Sequence, residues 1–364
     1  MRYTEVLLVG SAPAVKGGIT SVISQIRAHN WMADNIHLSF LPTYMDGRML
    51  RKLTYFAAAL LKIRHRLRTQ RPDVVYIHMS YKGSFYRKNL VHRLCRQYGI
   101  PDVLHLHGSE FSLWYDSAGK RLQCRIRRLL RECSSVIVLG KFWDLSVRQI
   151  EPAAKTLILP NTVHIPPGTV HWNDEVFQVL FLGVLIPRKG TADLLQAVQL
   201  LRDTGRLGNM RFVIAGDGPD RAALQRSAAA CAPDGTVLFT GWVSGEEKNR
   251  LLRESQLLVL PSYNEGLPIA VLEALSYGMP VIACDAGDVS MAVHHGDNGF
   301  LLQPGDPAGL ADALAAAAAD RTRYEIMSRR ARSIAETAFS DSCYFKQLAD
   351  CWRAAAREAR SDGG

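Results

Sequence analysis

Short apolar runs recur along the whole chain and dominate its hydrophobic pattern. Each run has the length and β-branched content of a strand that is buried on both faces of a parallel sheet. Stretches of helical periodicity separate most of the runs, so the pattern predicts an α/β protein with two parallel sheets. The predicted strands are residues 5–10, 37–42, 73–80, 102–109, 134–140 and 156–160 in the first half, and residues 178–185, 211–218, 237–243, 257–262, 280–285 and 299–304 in the second.

A segment rich in Pro, Gly and Asn, residues 161–176, divides this pattern. A chain of 364 residues is long enough for two domains with cores of their own. We therefore predict two Rossmann-like domains, residues 1–165 and 166–340, and a C-terminal helix within 341–364 that packs back on the first domain. Ligands of open α/β sheets bind at the carboxyl ends of the strands, which predicts an active site in a cleft that both sheets face.

Composition narrows the class of protein. The chain is 48% hydrophobic and 21% charged, as in ordinary globular proteins, and no stretch approaches the roughly 18 apolar residues that cross a bilayer. The apolar run near the N-terminus contains Glu5 and fits a first strand better than a signal peptide. Seven scattered cysteines without a CxxC pair favour a reducing compartment without structural zinc. We therefore expect a cytoplasmic protein.

Charge is distributed unevenly between the two halves. Residues 1–165 contain 25 basic and 10 acidic residues, whereas residues 166–364 contain 19 and 24. This asymmetry predicts an anionic partner for the first domain alone, either a membrane surface or a nucleic acid. No nucleic-acid-binding motif occurs, and aromatic residues are sparse among the cations, so a nucleic acid is not expected.

The most basic segment is a predicted helix at residues 48–71. Apolar residues at positions 49, 53, 56, 60, 63 and 67 recur at helical spacing and predict a face that packs on the core. The cations around that face suit docking on anionic lipid, at about 1 kcal/mol for each well-placed basic residue. The predicted membrane contacts are Arg51, Lys52, Lys62, Arg64, Arg66 and Arg68.

The two glutamates Glu265 and Glu273 are the most informative polar residues of the second half. Glu265 stands in a tight turn after a buried strand, and Glu273 lies a little over one turn inside a helix that Pro268 is predicted to open. A helix start offers backbone N–H groups to an anion, and carboxylates accept hydrogen bonds from vicinal hydroxyls. The pattern favours a ligand with sugar hydroxyls and a phosphate, while an acid placed for the helix dipole is the alternative.

Glycines and histidines mark strand ends in the first half. Gly17 and Gly18 precede a helix, which suits close backbone approach to an anion, although a strained turn without a ligand would look the same. His105 and His107 share one face of the fourth strand, and His107 is the likelier ligand contact because it is nearer the strand end. A metal pair or a buried structural pair are the alternatives for these histidines.

Strand ends in the second half carry cations and more glycines. Arg188 and Lys189 stand before a helix and suit a diphosphate, where a leaving group gathers charge, although a solvated surface pair is the alternative. The next strand ends in a glycine turn into a helix, at Gly216 and Gly218. After the following strand, backbone groups at Gly241, Trp242 and Val243 could contact a nucleobase. No DxD sequence occurs, so a metal–diphosphate site built on that motif is not supported.

Taken together, these residues resemble the retaining glycosyltransferases of family 4, which have the two-domain GT-B fold. The resemblance covers most of the chain and is most specific in the second half, where Glu265 and Glu273 match the E-x7-E motif. It implies that Glu265 faces the donor sugar and Glu273 holds the nucleotide ribose. Lys189 matches the diphosphate lysine of a G-x5-K-G pattern that begins at Gly183, where Val184 replaces the usual arginine and Arg188 is expected to compensate.

The same resemblance assigns the remaining site residues. Amides around Gly266, Leu267 and Pro268 would contact the sugar and phosphate, and His107 would contact the donor sugar. The Gly17–Gly18 loop would lie near the donor phosphates and the acceptor. A looser similarity to bacterial exopolysaccharide and lipopolysaccharide enzymes implies a polyprenyl-diphosphate-linked acceptor at the cytoplasmic face of the inner membrane.

The implied reaction is transfer of a hexose from a UDP- or GDP-sugar to a hydroxyl with retention of configuration. Lys189 and Arg188 would stabilise the departing diphosphate. The leaving phosphate would take the acceptor proton, so neither a protein base nor a metal or other cofactor is expected. The alternatives are a nucleotide-sugar epimerase on the same fold, and a basic membrane- or nucleic-acid-binding protein without catalysis.

Overall fold

A computed structural model of the protein describes residues 3–15, 17–108, 110–232 and 234–361. The chain divides into two compact units: residues 1–161 with 342–364, called unit 1, and residues 162–341, called unit 2. The predicted α/β class is confirmed, because each unit is built on a sheet of six parallel strands with intervening helices.

Unit 1 contains all six strands that the first half of the sequence predicts. Their order in the sheet is β2-β1-β3-β4-β5-β6, with parallel pairing throughout. The strand order changes direction between β1 and β3, so the loops after these strands flank the place where such sheets bind ligands. The elements are β1 Thr4–Ser11, α1 Gly18–Ala28, β2 Ile36–Tyr44, α2 Met49–Thr69, β3 Val74–Met79, α3 Gly83–Tyr98, β4 Asp102–Leu106, α4 Phe111–Asp116, α5 Lys120–Glu132, β5 Ser135–Val138, α6 Lys141–Ile150 and β6 Thr156–Ile158.

Unit 2 contains the other six predicted strands. Their order is β12-β11-β10-β7-β8-β9, again parallel, and the direction changes between β7 and β10. The loops after β7 and β10 therefore flank the expected ligand site of this sheet. The elements are β7 Phe177–Leu182, α7 Thr191–Asp203, β8 Met210–Ala215, α8 Arg221–Cys231, β9 Val237–Gly241, α9 Gly245–Glu254, β10 Leu257–Leu260, α10 Ile269–Ser276, β11 Val281–Cys284, β12 Gly299–Leu302, α11 Pro307–Ala319 and α12 Arg321–Ala338.

The last helix, α13 (Asp341–Ser361), packs on unit 1. Its Trp352 is fully buried, with ring centroids 4.7 Å from Trp31 and 5.0 Å from Tyr76. Its Phe345 stacks on His29 at 4.0 Å. Burial of such large aromatic side chains contributes strongly to packing, so this helix is part of the core of unit 1. Among the residues that the structure describes, no helix is long and apolar enough to span a bilayer.

The apolar stripe predicted for helix α2 is only partly buried, which corrects the sequence analysis. Ala59, Ile63 and Leu67 pack into the core, whereas Met49 and Leu53 are 72% and 58% exposed. Helical spacing shows which residues share a face but not how far along the helix that face is covered by other elements. The apolar residues at the start of this helix are therefore available to a partner.

Candidate functional site

An ion pair occupies the switch point of the sheet in unit 2. Lys189 follows β7 and Glu265 follows β10, the strands between which the order changes direction. Lys189 Nζ donates to Glu265 Oε1, and the two side chains are only 14% and 8% exposed. The structure therefore brings together the residues that the sequence assigns to the diphosphate and the sugar. Because water barely screens this pair, the attraction between its two charges is strong and holds both side chains in place.

Arg188 fixes the backbone next to this ion pair. Its Nη1 donates to the carbonyl oxygen of Asn264 at 2.9 Å, and its own carbonyl oxygen accepts from the N–H of Tyr263 at 2.8 Å. Arg188 thus ties the loop after β7 to the loop that carries Glu265. Its predicted contact with a diphosphate stays a prediction, as does compensation for Val184, which is half-buried in the same loop.

Gly190 allows these two loops to meet. Its φ of +68° lies in the left-handed region, and a Cβ there would stand 1.9 Å from the carbonyl oxygen of Pro261. No side chain fits so close to a backbone oxygen, so only glycine lets the segment that carries Lys189 reach the end of β10. The geometry of the ion pair therefore depends on this glycine.

The glycines predicted to contact the donor after β8 have a packing role. A Cβ on Gly216 would lie 1.8 Å from the carbonyl oxygen of Gly183, and one on Gly218 would lie 2.2 Å from that of Leu185. The loop after β8 therefore presses against the loop after β7. This contact alone explains why glycine stands at 216 and 218, and donor contacts at these positions and at Gly183 stay predictions.

Glu273 is held by a lysine that the sequence analysis did not identify. Lys248 Nζ, from α9, donates to Glu273 Oε1, and both side chains are mostly buried. The two residues are 25 positions apart on different helices, so no local pattern indicated the contact. The pair keeps a second carboxylate oriented beside the first turns of α10.

The start of α10 differs in detail from the prediction. Pro268 is the cap residue, with extended backbone angles, and the helix begins at Ile269 rather than at the proline. The side chains of Leu267 and Val243 are buried in the core, so only their backbone groups could contact a ligand. Gly266, which lies between Glu265 and Leu267 in the chain, is half-buried.

Two hydroxyl groups near the ion pair were missed from the sequence. Thr191 begins α7 immediately after Gly190, and Ser262 follows β10. Both side chains are buried, and within the described part of the chain neither hydroxyl oxygen has a hydrogen-bond partner. Buried hydroxyls usually have partners, which marks these two as candidate ligand contacts. Serine and threonine are too common for sequence alone to select them.

In unit 1, the predicted glycine loop lies at the switch point between β1 and β3. Gly17 caps α1 with φ +140° and ψ 167°, a conformation that favours glycine. Nothing lies within 4 Å of a Cβ placed on Gly17 or Gly18. The start of α1 therefore has room beside its backbone, as a loop that receives an anion requires. The ligand contact itself stays a prediction.

Three histidines form a cluster at the ends of β3 and β4. The strand register pairs His78 with His105, and His107 follows β4. His78 Nδ1 lies 2.8 Å from His107 Nε2, and Tyr76 Oη lies 2.5 Å from His105 Nδ1. Their donor atoms lie within 4.8 Å of one another, so the group could hold a metal ion. His78 was not identified from the sequence, although its strand ends with the same His-before-turn pattern.

Desolvation keeps all three imidazoles neutral, with His78 and His105 buried and His107 partly buried. Desolvation lowers the pKa of His107 to about 3. It also lowers the pKa values of His78 and His105 well below the usual range, and neighbouring His107 adds to both shifts. At neutral pH these rings are therefore uncharged hydrogen-bonding groups.

Acid is expected to destabilise unit 1 through this cluster. The unfolded chain binds protons at these histidines below about pH 6.5, whereas the folded His107 does so only near its pKa of about 3. Stability is therefore lost as pH falls through that window, by about 1.4 kcal/mol per pH unit for each histidine. Urea titrations at about pH 7 and about pH 5 measure the difference in the free energy of unfolding.

A matched pair of variants checks this assignment. His78→Phe should flatten the dependence of stability on pH, whereas His37→Phe, which removes an exposed imidazole of the same unit, should not. An equal slope in both variants would contradict the prediction.

His92 has the opposite effect on the pH dependence of stability, because hydrogen bonds to Asp102 and Glu132 raise its pKa against the effect of burial. The stability that His92 contributes is lost as pH rises through that raised pKa.

A second group of metal-type ligands lies at the start of β4. His92 Nδ1 contacts Asp102 Oδ2 at 2.9 Å, and its Nε2 contacts Glu132 Oε2 at 3.3 Å. The Cys133 thiol donates to Asp102 at 3.4 Å, and burial raises its pKa well above the usual range. Because these groups bond to one another and the thiol stays protonated, the group is explained as a buried structural network.

The outer face of helix α2 combines leucines with cations. Leu50, Leu53 and Leu61 are 74%, 58% and 68% exposed, and Arg64 and Arg68 are exposed on the same side at about 100° per residue. Of the six predicted membrane contacts, two differ from the rest: Lys52 and Arg66 are half-buried, whereas Arg51, Lys62, Arg64 and Arg68 are exposed.

Comparison with known proteins identifies the family and supports the fold. The family model "Glycosyl transferases group 1" matches residues 169–334. The chain is 31% identical to alpha-D-kanosaminyltransferase of Streptomyces kanamyceticus over 80% of each chain. It is 24% identical to UDP-Gal:alpha-D-GlcNAc-diphosphoundecaprenol alpha-1,3-galactosyltransferase of Escherichia coli, over 84% of this chain and 80% of that one. Across the first curated relatives, the chain spans between 34% and 80% of their lengths.

The same fold occurs in solved structures. Anabaena Alr3699/HepE in complex with UDP-glucose superposes with a TM-score of 0.75 over 95% of this chain and 98% of that one, at 19% identity. An identity this low shows the shared two-sheet architecture and nothing about the ligands of this chain.

Proposed function

We propose, from the premise that this chain belongs to the group 1 glycosyl transferases, that it transfers a hexose from a UDP- or GDP-sugar with retention of configuration. The observation that carries the proposal is the buried ion pair between Lys189 and Glu265 at the switch point of unit 2. A cation and a carboxylate fixed there suit a donor that presents a diphosphate and sugar hydroxyls side by side.

The proposed chemistry relies on charges already in place. As the bond from sugar to phosphate breaks, negative charge grows on the diphosphate, and Lys189 and Arg188 stabilise it. Glu265 and the amides near Gly266 orient the donor sugar, and Glu273 binds the ribose. The leaving phosphate accepts the acceptor proton on the same face. The reaction therefore needs no metal of its own, in keeping with a sequence that lacks DxD.

The neutral imidazole of His107 and the Gly17–Gly18 loop are the proposed contributions of unit 1. His107 hydrogen-bonds a sugar hydroxyl without adding charge, because burial lowers its pKa to about 3. The glycine loop receives the donor phosphates or the acceptor at the start of α1.

The proposed acceptor is a polyprenyl-diphosphate-linked saccharide of bacterial cell-surface polysaccharide synthesis. Support comes from the name of the E. coli relative, which specifies a diphosphoundecaprenol acceptor. It also comes from the exposed leucines and cations of α2, which suit a membrane that holds such an acceptor.

Transfer can be measured directly. The protein is incubated with UDP- and GDP-hexoses and a synthetic polyprenyl-diphosphate N-acetylhexosamine, and the product is analysed by NMR. A new glycosidic bond with the anomeric configuration of the donor supports the proposal. An inverted bond, or a free nucleotide sugar that is epimerised without transfer, would overturn it.

We further propose that unit 1 docks on the anionic cytoplasmic face of the inner membrane through the outer face of α2. The leucines can enter the headgroup region while the arginines bind lipid phosphates. Lys52, 5.4 Å from the ring centroid of Tyr44, and half-buried Arg66 are less available for this contact.

Reversing three of the exposed cations of α2 is expected to release the protein from anionic vesicles. The variant is Lys62→Glu with Arg64→Glu and Arg68→Glu. At about 1 kcal/mol for each cation, the partition coefficient should fall by at least roughly 100-fold. Sedimentation with vesicles of phosphatidylglycerol and phosphatidylcholine measures it.

Three exposed arginines of unit 2 provide the matched control. Changing Arg226, Arg329 and Arg330 to Glu alters the net charge equally and should leave binding largely intact. An equal loss in both variants would show that net charge, rather than the position of these cations on α2, governs binding.

A further inference from the structure

The contact between His78 and His107 is an edge-to-edge hydrogen bond. The ring nitrogens are 2.8 Å apart, the ring planes are inclined by only 10° and the centroids are 4.9 Å apart. Such a short nitrogen separation between nearly parallel rings places them side by side, the arrangement of an N–H···N bond. The backbone fixes the position of His107 just beyond the end of β4, because its main-chain N–H donates to the carbonyl oxygen of Met79 at 2.9 Å.

A second histidine, His105, stacks on one face of the His107 ring. His105 lies with its centroid 4.1 Å from that of His107, at an interplanar angle of 26°. His105 is itself oriented by Tyr76, whose hydroxyl contacts its Nδ1. The ring of His107 is therefore constrained at one edge and on one face, which suits a group whose direction matters.

The hydrogen-bond arrangement selects one tautomer of His107. A neutral imidazole carries one N–H, so only one ring can donate across the contact. His78 Nε2 is buried without a hydrogen-bond partner in the described residues. A buried N–H without an acceptor is rarer than an unused lone pair, so the proton of His78 lies on Nδ1. His78 then donates to His107 Nε2, and His107 keeps its own proton on Nδ1.

We infer that His78 is a positioning residue, which holds His107 in the Nδ1–H tautomer and so directs an N–H donor at an oxygen of the transferred sugar or its acceptor. The inference rests on the proposed function, in which His107 contacts sugar. In the opposite tautomer, His107 would present a nitrogen lone pair to the same oxygen. A lone pair can accept a hydroxyl proton but cannot stabilise negative charge.

Histidine-selective 15N NMR of the full chain tests the tautomer. The signal of His107 is assigned by its loss in His107→Asn. The wild type should show the proton on Nδ1, and His78→Phe should shift His107 towards the Nε2–H form. His78→Asn, whose amide N–H can replace the lost donor, should restore the wild-type signal.

Kinetics supplies the second readout. His78→Phe should lower kcat by roughly 10- to 100-fold while KM for the donor is unchanged, and His78→Asn should recover most of the loss. His37→Phe, at an exposed histidine paired with Glu5, should alter neither the tautomer nor the rate. A uniform structural effect would lower the activity of the Phe and Asn variants alike.

The outcomes separate this inference from the proposed function. An Nε2–H signal in the wild type, or a signal unchanged in His78→Phe, overturns the positioning role even if transfer is normal. Stoichiometric zinc whose removal by EDTA moves the His107 signal would also overturn it, because a metal would then replace the hydrogen bond. If His78→Phe changed the tautomer of His107 but the wild type transferred no sugar, the proposed function would be overturned. The effect of His78 on catalysis would then be overturned with it.

Discussion

Lys189→Ala is expected to lower kcat for glycosyl transfer by about 10²- to 10³-fold, the usual loss when one charge-stabilising donor is removed. Lys189 lies at the switch point of unit 2 and is nearly buried, so its charge acts on the leaving diphosphate with little screening. Initial rates at saturating donor measure the loss. Lys155→Ala, at an exposed lysine paired with Glu358, is the control and should keep the wild-type rate.

Folding must be separated from chemistry in the Lys189 variant. The substitution leaves the carboxylate of Glu265 buried without its partner, and breaking such a pair costs about 3–5 kcal/mol. Lys189→Ala with Glu265→Gln removes that unpaired charge and should regain thermal stability while remaining inactive. Transfer at the wild-type rate by folded Lys189→Ala would show that the diphosphate is stabilised elsewhere.

Glu273→Gln is expected to weaken nucleotide binding by roughly 10- to 100-fold. Hydrogen bonds to a charged group contribute about 1.5–3 kcal/mol, and the neutral amide loses that advantage towards the ribose hydroxyls. Lys248 holds the carboxylate of Glu273 in place, so the substitution removes a charge whose position is already fixed. Isothermal titration with UDP and GDP measures the change in affinity.

Deoxynucleotides make the ribose assignment specific. Loss of the 2′- or 3′-hydroxyl should weaken binding to the wild type, and the same loss should matter far less to Glu273→Gln. Glu246→Gln, at an exposed glutamate of α9 paired with Arg253, should behave like the wild type. If hydroxyl removal weakened binding to both proteins equally, Glu273 would not contact the ribose.

The architecture was predictable because it depends on local pattern. Each of the twelve strands lies in a short apolar run, most of them buried, and helices separate most of the runs, which favours parallel pairing. The strand order then determines which loops meet, so the proximity of Lys189 and Glu265 follows from where each stands relative to its strand. The family resemblance pointed to the same residues.

The features that were missed depend on contacts distant in sequence. Lys248 reaches Glu273 from a neighbouring helix, and His78 reaches His107 through strand register. The close packing of the loop after β8 on the loop after β7, which also requires glycine at Gly216, was not predicted either. The spacing of apolar residues in α2 could not show that its first turns, including Leu53, lie exposed. Apolar periodicity indicates which secondary structure a segment tends to form. The contacts and the exposure of its side chains depend on the residues that pack against the segment.

Titration of the protein with a panel of UDP- and GDP-hexoses, with and without EDTA, tests the central claim most directly. We expect that one nucleotide family binds, that EDTA leaves its affinity unchanged, and that Glu273→Gln and Lys189→Ala both weaken it. At a concentration of about 100 times the dissociation constant, such a donor would add about 2.7 kcal/mol to the stability of the protein. The absence of binding by every nucleotide sugar, or equal binding by both variants and the wild type, would contradict that claim.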